Sequence, residues 1–104
     1  CYATATSPLG PYTIDPDHYN VIRQLPEKEI YGTAHNSVLQ IPGKDKWYIV
    51  YHRINKDYLH DREKGGPGVH REVCIDRMEF DKRGNIIPVT PTTAGVKPVK
   101  ATKK

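Results

Sequence analysis

The chain reads as all-β, and three observations predict it. Its aromatic content leans to tyrosine, with seven Tyr against one Trp and one Phe, and tyrosine beside β-branched residues suits a pleated, half-covered surface. Short apolar runs are separated by Pro, Gly, Asn and Asp at turn spacing, which is how strands are punctuated. No stretch sustains the hydrophobic period of about 3.6 residues that an amphipathic helix needs, so no helix is predicted.

The elements follow in order. Tyr2 to Thr6 is small and β-prone and stops at Ser7-Pro8-Leu9-Gly10-Pro11, because two prolines around a glycine cannot continue a ladder. Tyr12-Thr13-Ile14 is a second short strand, broken by Asp15-Pro16-Asp17. Residues 18–34 read as an irregular connection with one brief extended piece near Val21-Ile22. A hairpin comes next: Ser37 to Ile41, a turn at Pro42-Gly43-Lys44-Asp45, and a return over Trp47 to Arg53. That second strand is apolar on both faces, which calls for cover on two sides. Asn55 to Gly68 is charged, ends in Gly65-Gly66-Pro67-Gly68, and is expected as a surface loop. Arg71 to Phe80 is the next strand, with Cys74, Met78 and Phe80 on one face and Val73 and Ile75 on the other. A turn at Asp81 to Gly84 leads into a last strand over 85–89, and the Pro, Thr and Lys composition beyond Thr90 reads as a trailing segment.

Strands over 37–41, 47–53, 71–80 and 85–89 make an up-and-down meander, the arrangement of one propeller blade. The competing arrangement is an independent small sandwich or barrel. The strand over 47–53 weighs against it, since the other strands are too short to cover both its faces, whereas a blade is covered by its neighbours.

Length and charge exclude several classes. One hundred and four residues hold one small domain. The formal charge is +4, and Lys97, Lys100, Lys103 and Lys104 account for all of it. No basic stripe with interleaved aromatics is visible, so no nucleic-acid partner is expected. No apolar run approaches the roughly 20 residues that span a bilayer, and no membrane partner is expected either. Cys1 and Cys74 fit neither a disulfide framework nor a zinc spacing and are expected to be unpaired. The chain starts on Cys1, without an initiator Met or the charge and apolar block of a signal peptide. It is therefore expected to be part of something longer, with any export signal upstream.

Three segments carry a resemblance. The first is Ala3-Thr4-Ala5-Thr6-Ser7-Pro8-Leu9-Gly10-Pro11-Tyr12. The second is Gly32-Thr33-Ala34-His35-Asn36-Ser37-Val38, followed by Trp47-Tyr48-Ile49-Val50-Tyr51-His52-Arg53. The third is His70-Arg71-Glu72-Val73-Cys74-Ile75-Asp76-Arg77-Met78-Glu79-Phe80-Asp81. In this order and spacing they resemble the end of the fourth blade and the last blade of family 43 glycoside hydrolases. The departure is Ala34, where that family usually has Gly.

The resemblance implies a five-bladed β-propeller with its active site at one mouth of the central channel. Residues 1–36 would then be the end of the penultimate blade and its connecting loop, 37–90 the final blade and 91–104 a C-terminal tail, all within one larger domain packed against the upstream blades. It also implies an inverting hydrolase, in which one carboxylic acid protonates the leaving oxygen and a carboxylate activates water on the opposite side of the sugar. The family's acid, base and orienting carboxylates belong to earlier blades, so no catalytic residue is expected in this chain, which alone is expected to be inactive. Glu72 and Asp76 are read as structural or surface groups.

Two residues match functional positions of the family. His35 corresponds to a channel histidine that orders a hydrated calcium ion or meets the substrate, and Arg71 to a channel-mouth arginine that contacts the sugar. An imidazole can organise water around a cation, although a hard cation prefers oxygen as its direct ligand. A guanidinium offers sugar hydroxyls a planar fork. Calcium is the one cofactor this implies, and an oligo- or polysaccharide is the partner. His18, His52, His60 and His70 match no ligand spacing and are read as surface or interstrand residues; Trp47, Tyr48 and Tyr51 are read as core. The leading expectation is removal of arabinofuranosyl or xylosyl units from plant cell-wall polysaccharides by a secreted or periplasmic enzyme. The alternatives are a galactan-trimming member of the same family and a non-catalytic carbohydrate-binding module.

Overall fold

The computed structural model describes residues 1–58 and 70–100. Four strands, β1 (Ala34–Gln40), β2 (Trp47–Ile54), β3 (Arg71–Phe80) and β4 (Ile86–Ile87), form one antiparallel sheet in the order β1-β2-β3-β4. This is the meander that the turn residues predicted. Pairing runs without interruption from Trp47↔Met78 to Ile54↔Arg71 between β2 and β3.

Strand ends differ from the sequence reading, most at the start of β1 and the end of β4. β1 begins at Ala34 and not at Ser37, because an irregularity between those two residues lets the pairing continue to His52. β4 is only Ile86–Ile87; Pro88 has no N–H to give a ladder. Val89 instead bridges Ile22 in parallel, its N–H reaching Val21 O at 2.8 Å, so the extended piece expected near Val21 is present. Two single-turn 3-10 helices occur where no helix was predicted, Pro26–Lys28 and Lys56–Tyr58. A single turn is too short to show a period, and Pro at the first position of a helical turn is favoured. The strand candidates near Thr4 and Thr13 reduce to one isolated bridge between those residues. Cys1 and Cys74 are both free.

The two faces of the sheet differ in cover. On one, Ile49, Tyr51 and Met78 are buried against Val21 and Val89, with Tyr2, Ile22, Trp47, Cys74 and Ile86 around them. Burial of this apolar surface is the main force holding the sheet to the flanking chain. The opposite face is open over most of its length: Val73 is 80% exposed and Leu39 50%. At one end, among the described residues, Val96, Pro98 and Val99 come over Leu39, Tyr48 and Ile75. Cys74 and Met78 thus share a face as predicted, while Val73, on the other, lies bare.

The segment expected as a trailing tail begins docked. Pro91 is buried to below 2% exposure, and Thr92 bonds Asp76 through both its backbone N–H and its hydroxyl. The base of the long loop is closed by Asn55 N–H to His70 O at 2.9 Å; residues 59–69, with His60, and 101–104, with Lys103 and Lys104, lie outside the described residues.

Candidate functional site

The irregularity in β1 is a β-bulge. Ala34 pairs with His52 and Ser37 with Val50, so His35 and Asn36 together stand opposite Tyr51 alone. His35 takes φ +46 there, the left-handed region that a side chain other than Gly enters rarely, at about 1–2 kcal/mol. Bulges of this kind re-aim a side chain. Here the His35 ring meets that of His52 edge to edge, centroids 4.9 Å apart at 24°, with His35 Nδ1 2.7 Å from His52 Nε2. Ala34, where glycine is usual in the resembling family, has no positive φ; the left-handed positions of the motif are Gly32 and His35.

Arg71, first residue of β3, pairs with Ile54 and sits at the same end of the sheet. Its Nη1 donates to Gly32 O at 3.4 Å, a long bond. A side chain at Gly32, where φ is +67, would place its Cβ 2.5 Å from that Nη1 and 2.9 Å from Ile54 Cγ1. Glycine is therefore required twice here, for the backbone and for the room. The loop is tied down by Gly32 N–H to Gln24 Oε1 at 2.8 Å and by the Thr33 hydroxyl to Arg23 O at 3.2 Å. Burial, then the positive charge of Arg71 and the neighbouring His35, hold the His52 imidazole below the usual histidine range. Its Nδ1 is shut off from solvent and has no hydrogen-bond partner among the described residues.

The sequence singled out His35 and Arg71, and the structure brings both to the end of the open face with His52 between them electrostatically. His52 was read only as a surface or interstrand residue. Counting outward from the hairpin turn could have found it: β1 and β2 pair Gln40 with Trp47 and Leu39 with Tyr48, and the same count sets position 35 opposite 52.

A second polar group lies on the covered face. Asp76, 3% exposed, accepts from Tyr51 OH at 2.5 Å and from Thr92 N–H and Oγ1–H at 3.0 and 2.5 Å. Burial, and then the bond to Asp76, push the Tyr51 phenol far above its ordinary value. Beside it, Arg53 Nε donates to Glu72 Oε1 at 2.7 Å, and its Nη1 to Thr92 O at 3.2 Å. Asp76 and Glu72 are thus both bonded within the fold.

The remaining candidates are also accounted for. His18 bonds Asp15 at 3.0 Å, His70 stacks on Tyr58, and Trp47 bonds Asp45 and meets the edge of Phe80. Among the described residues no group of three or more His, Cys, Asp or Glu side chains is placed to hold a metal ion, and no helix is long and apolar enough to cross a membrane.

Comparison with known proteins bears on this arrangement directly. Residues 1–86 match the family model for glycosyl hydrolases family 43. The Beta-D-galactofuranosidase xynD of Aspergillus niger is 42% identical over 95 residues, which is 91% of this chain and 25% of that protein. The chain thus spans about a quarter of the length of the curated relative it matches. The matched region contains the bulge, His35, His52 and Arg71, and the chain belongs to glycosyl hydrolases family 43.

Proposed function

We propose that this chain is the C-terminal part of an inverting glycosidase that trims galactose units, galactofuranosyl ones first, from cell-wall polysaccharide side chains. The observation that carries the sugar assignment is the 42% identity to a galactofuranosidase across 91% of the chain; it favours galactose over the arabinofuranosyl and xylosyl units. In this reading the sheet is the last blade of a five-bladed propeller. The open face and the fully exposed β1 are covered by neighbouring blades, since exposed apolar patches and bare strand edges mark contact surfaces. An enzyme with a polymeric wall substrate meets it outside the cell, so secretion goes with the proposal.

Within the site, the Arg71 fork binds sugar hydroxyls and His35 contacts the sugar at the channel mouth. The acid and base come from outside the chain. In support, the carboxylates Asp15, Asp45, Glu72, Asp76 and Asp81 are all bonded within their own surroundings. Among the described residues no hydrogen bond joins a carboxylate to the rings of His35 and His52, which bond each other. Calcium takes six to eight oxygen ligands. The donors gathered here are imidazole nitrogens and a guanidinium, so these residues on their own do not fit that ion.

The test is turnover of nitrophenyl β-D-galactofuranoside, α-L-arabinofuranoside and β-D-xyloside by the complete enzyme. The galactofuranoside is expected to lead by about tenfold or more in kcat/KM, as a site that bonds a specific hydroxyl discriminates strongly against its absence. A lead for either of the others returns the assignment to that sugar. The isolated 104-residue chain should leave all three at the background rate; turnover that vanishes on mutating one of its own carboxylates would place the catalytic pair inside it.

A further inference from the structure

His35 and His52 share one hydrogen bond, and the direction of that bond decides what His35 presents to a ligand. The two nitrogens are 2.7 Å apart, so one carries the proton between them. Suppose His35 Nδ1 donates. Neutral His52 then holds its own proton on Nδ1, an atom sealed from solvent with no partner. Buried N–H groups without an acceptor are rarer in folded proteins than acceptors left short of a donor. Suppose instead that His52 Nε2 donates. Only a lone pair is then sealed at His52 Nδ1, and His35, accepting at Nδ1, keeps its proton on Nε2. A doubly protonated His52 would have the same orphaned N–H and would lie in the field of Arg71 besides.

We infer that His52 is a positioning residue that donates from Nε2 to His35 Nδ1 and so fixes His35 as a neutral ring offering an Nε2–H donor to the substrate. The bulge supplies the other constraint, holding His35 at φ +46 so that its ring edge faces that of His52. A donor of this kind takes a sugar hydroxyl oxygen as its partner. This inference rests on the channel-mouth reading of His35 for its functional meaning, while the tautomer itself does not.

Two measurements on the complete enzyme test it. Ring-nitrogen NMR of histidine-labelled protein should show His35 protonated at Nε2 and bare at Nδ1; the reverse tautomer overturns the inference whatever the activity. Kinetics supply the second arm. His52→Gln places an amide N–H donor near the old Nε2 and should hold kcat/KM within about threefold, whereas His52→Leu should lose about tenfold or more at an unchanged melting temperature, the loss typical of a displaced positioning group. Equal losses for Gln and Leu, or none for Leu, overturn it. Wild-type kcat/KM in His35→Ala would instead sink the channel-mouth reading, with the ring-nitrogen spectrum still deciding the direction of the bond.

Discussion

Tyr51 and His52 are neighbours on β2, yet they point into opposite regimes. On the covered face, Tyr51 enters a group in which every bond is returned: Asp76 takes the phenol, the Thr92 N–H and the Thr92 hydroxyl. On the open face, His52 enters a group that keeps unused capacity, with an arginine held by one long bond and a histidine in a strained conformation. Saturated polar groups fix a fold, and groups with capacity left over are where a ligand can be met. Strain at one cluster persists because the other over-determines the strands beneath it.

The comparison breaks most visibly at Asp76. Asp76→Ala in the complete enzyme should lower stability by about 3 kcal/mol, since Tyr51 and Thr92 lose a charged acceptor in a buried place. Denaturant midpoint and melting temperature check this, with KM expected to stay put. Next in size is His35→Ala, which should reduce turnover by about tenfold or more while the melting temperature holds, because alanine keeps the Cβ and with it the left-handed strain. Wild-type turnover would make His35 a turn residue; a melting temperature that collapses with turnover would put it with Asp76 on the structural side.

Gly32→Ala sharpens the contrast. It should cost about 1–2 kcal/mol for a side chain in the left-handed region, and it should raise KM, because the new Cβ displaces Arg71 Nη1 from 2.5 Å away. Unchanged KM would detach Arg71 from the substrate. The smallest effect is a titration. His52 should titrate by NMR below the usual histidine value of about 6.5, and Arg71→Ala should move it upward, though not fully, because burial is the larger cause. The sign follows from linkage. A neutral ring favoured by the fold gives stability present above the unfolded value and lost as pH falls through it, when the unfolded chain takes up the proton first.

Much of the fold was legible because turn residues are local. Pro42-Gly43 and Asp81 to Gly84 announce reversals without reference to anything distant, and the alternation of Cys74 and Met78 against Val73 assigns the faces of β3. What stayed hidden was non-local. Nothing in the composition after Thr90 says that Thr92 will find Asp76, and the shortness of β4 depends on Val89 preferring Val21 across the molecule. The site was legible through motif likeness for His35 and Arg71, and through hairpin counting for His52. The positive φ at His35 was not, since the residue types around it, Ala34 and Asn36, are compatible with a regular strand.

The bulge has one more consequence. A bulge sets two residues against one, so removing one of the two restores plain alternation while the pairs on either side stay as they are. Without Asn36, Ala34 would still stand opposite His52 and Ser37 opposite Val50, but position 35 would fall across from Tyr51 in an ordinary ladder and turn inward, toward Val21 and Val89. The length of β1 is therefore a counted quantity. One residue in excess keeps the imidazole of His35 outward, and a deletion that any strand of similar composition would absorb would reverse the orientation of the side chain on which the proposed chemistry depends.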